Sequence, residues 1–421
     1  MNILILGSGG REHAFAKKIS ESKRCKQLFI APGNPGTAQF GINVPIQVTD
    51  IASVRQFCLN NKMDMLVVGP EAPLVEGITD AFRSEETKHI GVIGPDAFAA
   101  QLEGSKAFAK SFMKKYHIPT AGYLEVTTEN IEAGFAFLDS LASPYVLKAD
   151  GLAAGKGVVI LPDLAEAKEE LRAMLSGKFG AASSKVVIEE FLDGIEFSVF
   201  ALTDGQHYVL LPEAKDYKKI GEGDTGLNTG GMGAISPVPF VDDTLWQKVI
   251  EKIVTPTIEG IKSENMDYTG FVFFGLIKVG NEPFVIEYNC RMGDPETEVV
   301  IPRIEDDLVE VFQDAISKKL EGKKLTFSSQ SAATIMLVSG GYPGDFEKYK
   351  RITGVGDVQD SIVFHAGTTE RDGDILTSGG RVMAITSVAD NFQEAIRTSL
   401  KNAEKIHFEG KYFRRDIGFD L

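Results

Sequence analysis

Along the first hundred residues, short apolar runs alternate with stretches whose apolar residues recur every three or four positions. Asn2 to Leu6, Leu28 to Ala31, Met65 to Val68 and Ile90 to Ile93 read as buried strands. Helical spacing lies between them, through Ala14, Phe15 and Ile19, around Val54 to Leu59 and around Leu74 to Phe82. This alternation predicts a parallel, doubly wound sheet. Each strand runs into a turn: Gly7, Pro32-Gly33-Asn34, Gly69-Pro70-Glu71 and Gly94-Pro95. Ligands of such sheets bind beyond the carboxyl ends of the strands. Gly9, Gly10, Arg11, Glu12, Asn34 and Glu71 are therefore expected to line one crevice.

Further on, Phe98 to Tyr116 predicts one long helix carrying Lys106. After Pro119 the pattern becomes strand, helix, strand, strand, helix, ending in the amphipathic helix Ala165 to Leu175. Val186 to Ile188 is a strand that leads into Glu189-Glu190-Phe191-Leu192, and Glu196-Phe197-Ser198 opens another. Residues 213 to 239 are rich in Gly and Thr, carry Lys215, Asp216, Lys218 and Lys219, and read as a long loop holding a second anion. Leu245 to Ile261 and Leu308 to Leu320 are helices, and Gly270 to Val279 is a strand. After a polar boundary at 321 to 331, strands at Ala333 to Val338, Ile362 to Ala366 and Arg381 to Thr386 precede a helix from Asn391 to Ile406. That last part reads as a small α+β domain.

The stretch with the densest chemistry is Phe284 to Glu298, FVIEYNCRMGDPETE. Strand alternation puts Glu287, Asn289 and Arg291 on one face, and Ile286, Tyr288, Cys290 and Met292 on the other. A carboxylate and an amide carbonyl are hard oxygen ligands suited to Mg²⁺. Arg291 adds a planar fork for a carboxylate or phosphate. Gly293 and Pro295 then set Asp294 and Glu296 in the loop beyond the strand. A strand with a solvated polar face is the alternative, and an apolar opposite face beside this density of charged groups weighs against it. The pattern points to a Mg²⁺–phosphate site that activates a small acid.

Two better-known phosphate motifs fail on detail. Gly7 and Gly9 begin a dinucleotide fingerprint, but Glu12 stands where its third glycine belongs, and the second strand ends without a ribose-binding acid. In KADGLAAGKGVVIL, Gly151 is too close to Gly155-Lys156 for a Walker A loop, and Gly157 replaces its Ser or Thr. What remains is a Gly/Ala loop with Lys148 and Lys156, whose backbone N–H groups and ammonium groups suit a phosphate cover.

Composition narrows the class. The 421 residues predict two to four compact units, and a net charge of −15 argues against nucleic acid as partner. No apolar run is long enough for a bilayer, and Cys25, Cys58 and Cys290 form neither a disulfide framework nor a zinc knuckle. The expected location is the cytoplasm.

Taken together, GSGGREHA, PGNPGT, VVGPEAPLVEGITD, KADGLAAGKGV, DTGLNTGGMGAISP, EYNCRMGDPETE and AGTTERDGDILTSGGRV, in this order, closely resemble the glycinamide ribonucleotide synthetase family of ATP-grasp enzymes. The resemblance runs the full length of the chain. It implies an N-terminal sheet domain (1–101), an ATP-grasp core (102–326) with an inserted lid near 120–187, and a C-terminal domain (327–421). The implied reaction, a step of purine biosynthesis, joins glycine to 5-phosphoribosylamine through glycyl phosphate, with ATP cleaved to ADP and phosphate.

By the same resemblance Lys106 and Lys148 contact ATP phosphates, under a lid loop of Gly155, Lys156 and Gly157. Glu189, Glu190, Phe191 and Leu192 form the adenine hinge, and Glu196 binds ribose. Glu287 and Asn289 hold Mg²⁺ or Mn²⁺. Arg291 and Asp294 position glycine and its acyl phosphate, with Lys215 and Asp216 between the substrates. Gly9, Gly10, Glu12, Asn34, Glu71, Thr229, Gly230 and Gly231 face phosphoribosylamine. The implied partners are these small molecules alone, and the implied state is a monomer.

One departure stands out. Many ATP-grasp proteins carry a further metal-binding acid on the strand before Glu287, and GFVFFGLIKV has none. The competing readings are another ATP-grasp ligase, a catalytically dead nucleotide-binding regulator and a dehydrogenase. The GREHA and PGN turns speak against the first, the intact metal strand and lid against the second, and Glu12 against the third.

Overall fold

A computed structural model describes residues 1–152 and 157–421. The N-terminal strands Asn2–Gly7, Gln27–Pro32, Ile42–Asn43, Met65–Val68 and Gly91–Ile93 form one parallel sheet with Asn2–Gly7 at its centre. Its topology is the doubly wound one that the alternating pattern implies. Only the two-residue strand Ile42–Asn43 escapes a pattern search, being too short to show a period.

The core sheet is antiparallel, in the order Tyr208–Leu210, Ile195–Thr203, Gly270–Val279, Glu282–Asn289. Beside it a smaller antiparallel sheet pairs Tyr123–Val126, Val186–Glu189, Tyr145–Ala149 and Val158–Leu161, with helices Ile131–Ser140 and Leu164–Leu175 against it. This small sheet has its own apolar cluster around Leu138, Leu147 and Leu171, all unexposed. A body with a separate core can move without opening the main one.

Local deviations from the sequence pattern have identifiable causes. The helix expected over Phe98 to Tyr116 is two helices, Gln101–Gly104 and Lys106–Lys115. Ser105 between them is extended, and its hydroxyl accepts the Phe108 N–H as an N-cap. The stretch read as a loop at 213 to 239 contains strands Lys215–Asp216, Lys219–Gly221, Thr225–Asn228 and Gly233–Ser236. The first and last of these join strands Ser331–Val338, Arg381–Ala389 and Ile362–His365 in one five-stranded antiparallel sheet. Glycines obscure strand periodicity, which is why the stretch looks like loop from sequence alone.

The alternation proposed for Phe284 to Met292 also breaks. Gly275 pairs with Glu287 while Leu276 pairs with Val285, so Ile286 is an extra, bulged residue. Val285 and Tyr288, rather than Ile286 and Tyr288, face the core, and Ile286 is half-exposed. Beyond the bulge Glu287 and Asn289 still share a side, opposite the buried Tyr288 and Cys290.

The N-terminal helix Gly10–Ser20 packs on strand Ile362–His365 of the C-terminal sheet. There the His365 N–H donates to His13 Nδ1 at 2.8 Å, and both rings are buried. Burial pushes His13 down to about 3 and His365 down to about 4. Both are neutral when folded but protonate near the ordinary value when unfolded, so their contribution is whole above about pH 6.5 and is lost as pH falls toward the folded values. Replacing His365 by Gln should therefore flatten the acid side of the stability profile by about 1 kcal/mol per pH unit between pH 6 and 5. Urea unfolding at several pH values checks this; an unchanged slope would refute it.

Candidate active site

Three sets of charged residues meet where the parallel sheet, the core sheet and the C-terminal sheet converge. The first is built on the turns of the parallel sheet. Glu12, in the first turn of helix Gly10–Ser20, bends back to accept the Gly9 N–H at 2.6 Å and Arg11 Nε at 2.6 Å. Its carboxylate fills the space under Gly69, where a β-carbon would lie 2.0 Å from Glu12 Oε1. Glycine is thus required for close approach at the end of strand Met65–Val68. Arg11, itself buried, reaches on to the Met292 carbonyl at 3.1 Å. Asn34 uses its whole amide within the structure: its NH₂ donates to the Ser8 and His365 carbonyls, and its Oδ1 accepts from Gly36 and Thr37.

The second set follows the bulged strand. Arg291 Nη2 lies 2.6 Å from Glu103 Oε1 and 3.2 Å from Asn289 Oδ1, and its Nε is 3.4 Å from Glu71 Oε2. Nε is buried with no aligned acceptor among the described residues. Burial disfavours the Arg291 charge, but Glu103 and Glu71 outweigh it and hold the guanidinium cationic. Asp294, in the following turn, has Oδ2 beside Gly9 and 3.4 Å from the Arg11 N–H. Behind it Glu298 is fully buried, and neither of its oxygens has a hydrogen-bond partner among the described residues. Burial, reinforced by Asp294, pushes Glu298 well above the usual carboxylate range. Burial and then Asp216 push Glu296 up to about 8.

The third set faces the small sheet. Glu189 is buried between two lysines, Lys148 at 2.9 Å and Lys110 at 3.0 Å. Burial raises this carboxyl, but Lys148 and Lys110 together hold it below the usual range. Lys110 Nζ also donates to Thr120 Oγ1 at 2.7 Å, and Thr120 donates to the Val285 carbonyl at 2.7 Å, next to the bulge. Lys106 is pulled down by burial, against the nearby charge of Glu287. Glu190, Phe191 and Leu192 follow as an irregular stretch, with the Glu190 N–H held by the Gly122 carbonyl at 2.8 Å and Phe191 exposed. Glu196 pairs with Lys218 at 2.5 Å, and Lys218 stands 3.9 Å from buried Asp216. Lys215 instead turns toward Asp420, at 3.1 Å, over the Tyr217 ring. Gly157 holds the Ala149 N–H at 2.8 Å, while Gly155 and Lys156 lie outside the described residues.

The structure thus brings Gly9, Gly10, Glu12, Glu71, Arg291 and Asp294 to one junction, with Thr229 to Gly231 beside Asp294 through Arg381. Glu103, Lys110 and Arg381 were not singled out from sequence, because each is a lone charge in its own segment. Glu287 and Asn289 fit a divalent cation as far as the donor set goes. Both are hard oxygen donors on one side of the strand, and facing Glu287 is Gly275, where a β-carbon would come within 3.1 Å of Glu287 Cγ. Among the described residues no three acids, histidines or cysteines gather closely enough to hold a metal by themselves. A cation held there would need further ligands from outside this donor pair.

Phosphoribosylglycinamide synthetase descriptions match the chain in three successive parts: the N domain over residues 1–103, the ATP-grasp (A) domain over 104–297 and the C domain over 332–420. The chain is 46% identical to a phosphoribosylamine–glycine ligase of Pasteurella multocida and 44% identical to one of Pseudomonas aeruginosa, covering 100% of this chain and 98% of each relative. A crystal structure of phosphoribosylamine–glycine ligase from Thermotoga maritima matches with a TM-score of 0.86 at 35% identity, over 99% of this chain and 100% of that one. A biotin carboxylase–β,γ-ATP complex from Campylobacter jejuni shares the fold at a TM-score of 0.72 and 13% identity, over 99% and 93% of the two chains.

Glu189 offers a direct test of the buried lysine pair. Replacing Glu189 by Gln leaves Lys110 and Lys148 buried without a counter-charge, which should lower stability by about 3 kcal/mol. A urea midpoint indistinguishable from that of the parent protein would show that the two ammonium groups find compensation elsewhere.

Proposed function

The chain belongs to the phosphoribosylglycinamide synthetase family, and we propose that it joins glycine to 5-phosphoribosylamine at the expense of ATP. The observation that carries this reading is the match along the whole chain, at 46% identity, to a relative named for that ligation. In the first half-reaction a glycine carboxylate oxygen attacks the γ-phosphorus, ADP leaves, and glycyl phosphate forms. In the second, the amine of phosphoribosylamine attacks the glycyl carbonyl, phosphate leaves, and the amine gives up a proton. Glycinamide ribonucleotide, ADP and phosphate are the products, in the purine pathway. A free carboxylate is a poor acylating agent, so the protein's part is neutralising charge and aligning the reactants.

Residue roles are those the family resemblance implies, and charge and position support several of them. Lys106 and Lys148 face the transferring phosphates, under a cover that includes Gly155, Lys156 and Gly157. Glu189 to Leu192 supply backbone groups to adenine, and Glu196 meets ribose. Arg291 stays cationic and has an unaligned Nε–H, which suits it to hold the glycine carboxylate. Asp294 then orients the ammonium end or the acyl phosphate. Gly9, Gly10, Glu12, Glu71 and Thr229 to Gly231 shape the phosphoribosylamine crevice. Asn34 acts there through the turn it braces. Lys215 and Asp216 border the space between the substrates. Glu287 and Asn289 hold Mg²⁺ or Mn²⁺, which when bound neutralises charge building on the phosphoryl oxygens. We read the protein as a cytoplasmic monomer with domain boundaries near 101 and 326.

The reading is tested by measuring ADP release with glycine plus phosphoribosylamine against other amino acids and amines. Glycine-dependent, phosphoribosylamine-dependent turnover is expected, and its absence would sink the assignment. Replacing Glu287 by Ala should cut Mg²⁺-dependent ATP cleavage by about 100-fold or more without unfolding the protein. Near-parental rates in that variant would remove Glu287 from metal binding.

A further inference from the structure

Arg381 opens the strand Arg381–Ala389 of the C-terminal sheet, yet its guanidinium reaches out of that sheet into the junction. Nη1 donates to the Gly230 carbonyl at 2.6 Å and to the Asp294 carbonyl at 2.6 Å. Nη2 lies 3.0 Å from Asp294 Oδ1, an ion pair not aligned as a hydrogen bond. One planar group thus ties two turns from distant parts of the chain, Thr229 to Gly231 and Asp294-Pro295. Glycine at 230 is what lets it sit so close, since a β-carbon there would lie 2.9 Å from Arg381 Cζ. The Gly230 N–H is held in turn by the Tyr342 hydroxyl at 2.9 Å, from the same C-terminal domain. The titratable groups facing the guanidinium are Asp294, Tyr342, Glu298 and Glu296. A guanidinium that bonds two backbone carbonyls and pairs with one carboxylate is a rigid spacer, because its nitrogens are coplanar.

We propose that Arg381 is a positioning residue that sets the separation between the turn facing the sugar phosphate and the turn facing the acyl phosphate. The proposal rests on the ligase reading above. It assigns the C-terminal domain a part in the second half-reaction: Arg381 holds the acceptor's turn and the Asp294 turn in register for amine attack. Lysine cannot replace it, since one ammonium does not span both carbonyls and the carboxylate with planar geometry.

The test uses the full chain with Arg381→Gln, Arg381→Lys and Tyr342→Phe. Rates are measured with glycine, ATP and phosphoribosylamine generated in solution from ribose 5-phosphate and ammonia. A shift of about 1 Å between reactants costs about 100-fold. Both Arg381 variants are therefore expected to lose about that much in kcat/KM for phosphoribosylamine, while KM for ATP changes by less than about twofold. Tyr342→Phe should show a smaller loss of the same kind. Equal losses for ATP and phosphoribosylamine, or full activity in Arg381→Lys, would overturn the proposal. Amide hydrogen exchange gives a second readout that does not depend on the substrates. Arg381→Gln should speed exchange in residues 228–232 and 293–297 and nowhere in the parallel sheet. Unchanged exchange in both segments would also overturn it. If the parent protein shows no glycine-dependent turnover, the ligase reading fails, and the exchange result alone decides whether Arg381 clamps the two turns.

Discussion

Two guanidinium groups, the buried Arg11 and the largely enclosed Arg291, meet at one junction, and the rest of the site depends on how they are matched. A buried charge without acceptors is too costly to keep, so each arginine gathers partners around it. Arg11 takes Glu12 on its own helix and the Met292 carbonyl on the core chain. Arg291 takes Glu103 from the linking helix and Glu71 from the parallel sheet. These requirements pull the turns of one domain onto the strand end of another. The crevice is therefore a consequence of charge pairing between domains, and neither domain presents it alone.

Much of the architecture was legible in the chain because it rests on long periodic segments. The parallel sheet, the strand–helix–strand–strand–helix unit after Pro119 and the C-terminal strands and helix lie where hydrophobic periodicity puts them. The site was legible where several chemical groups crowd into one segment, as from Glu287 to Asp294. Full-length resemblance in motif order supplied the reaction, which spacing alone left as an unnamed acid activated at a phosphate site.

What escaped has a common cause: it depends on pairing between distant segments. The bulge at Ile286 is set by the partner strand, since nothing in VIEYN marks where one residue must drop out of register. Residues 215–216 and 233–236 become strands only because Ser331–Val338 offers an edge a hundred residues later. Glu103, Lys110 and Arg381 are ordinary surface-type charges by composition, yet all three end in ion pairs with residues far along the chain. A lone charge in a helix or at a strand end carries no local signal of such a fate. Ser105 is different, since a serine before KAFA is a recognisable N-cap and the break in the helix was readable there.

The missing acid on strand Gly270–Val279 takes on a physical meaning once the register is known. The residue paired with Glu287 is Gly275, and the one paired with Asn289 is Phe273. An acid at 275 would compete with Glu287 for the same space, because even a β-carbon there approaches Glu287 Cγ within 3.1 Å. Glycine at 275 keeps the space beside Glu287 clear on that side. Around it Lys106, Lys148 and Lys218 stand against Glu189, Glu196 and Asp216, so local charge is nearly balanced before any nucleotide arrives. A polyanionic nucleotide at this place would meet lysines that are already committed to carboxylates, which is where a divalent cation would add the positive charge it needs.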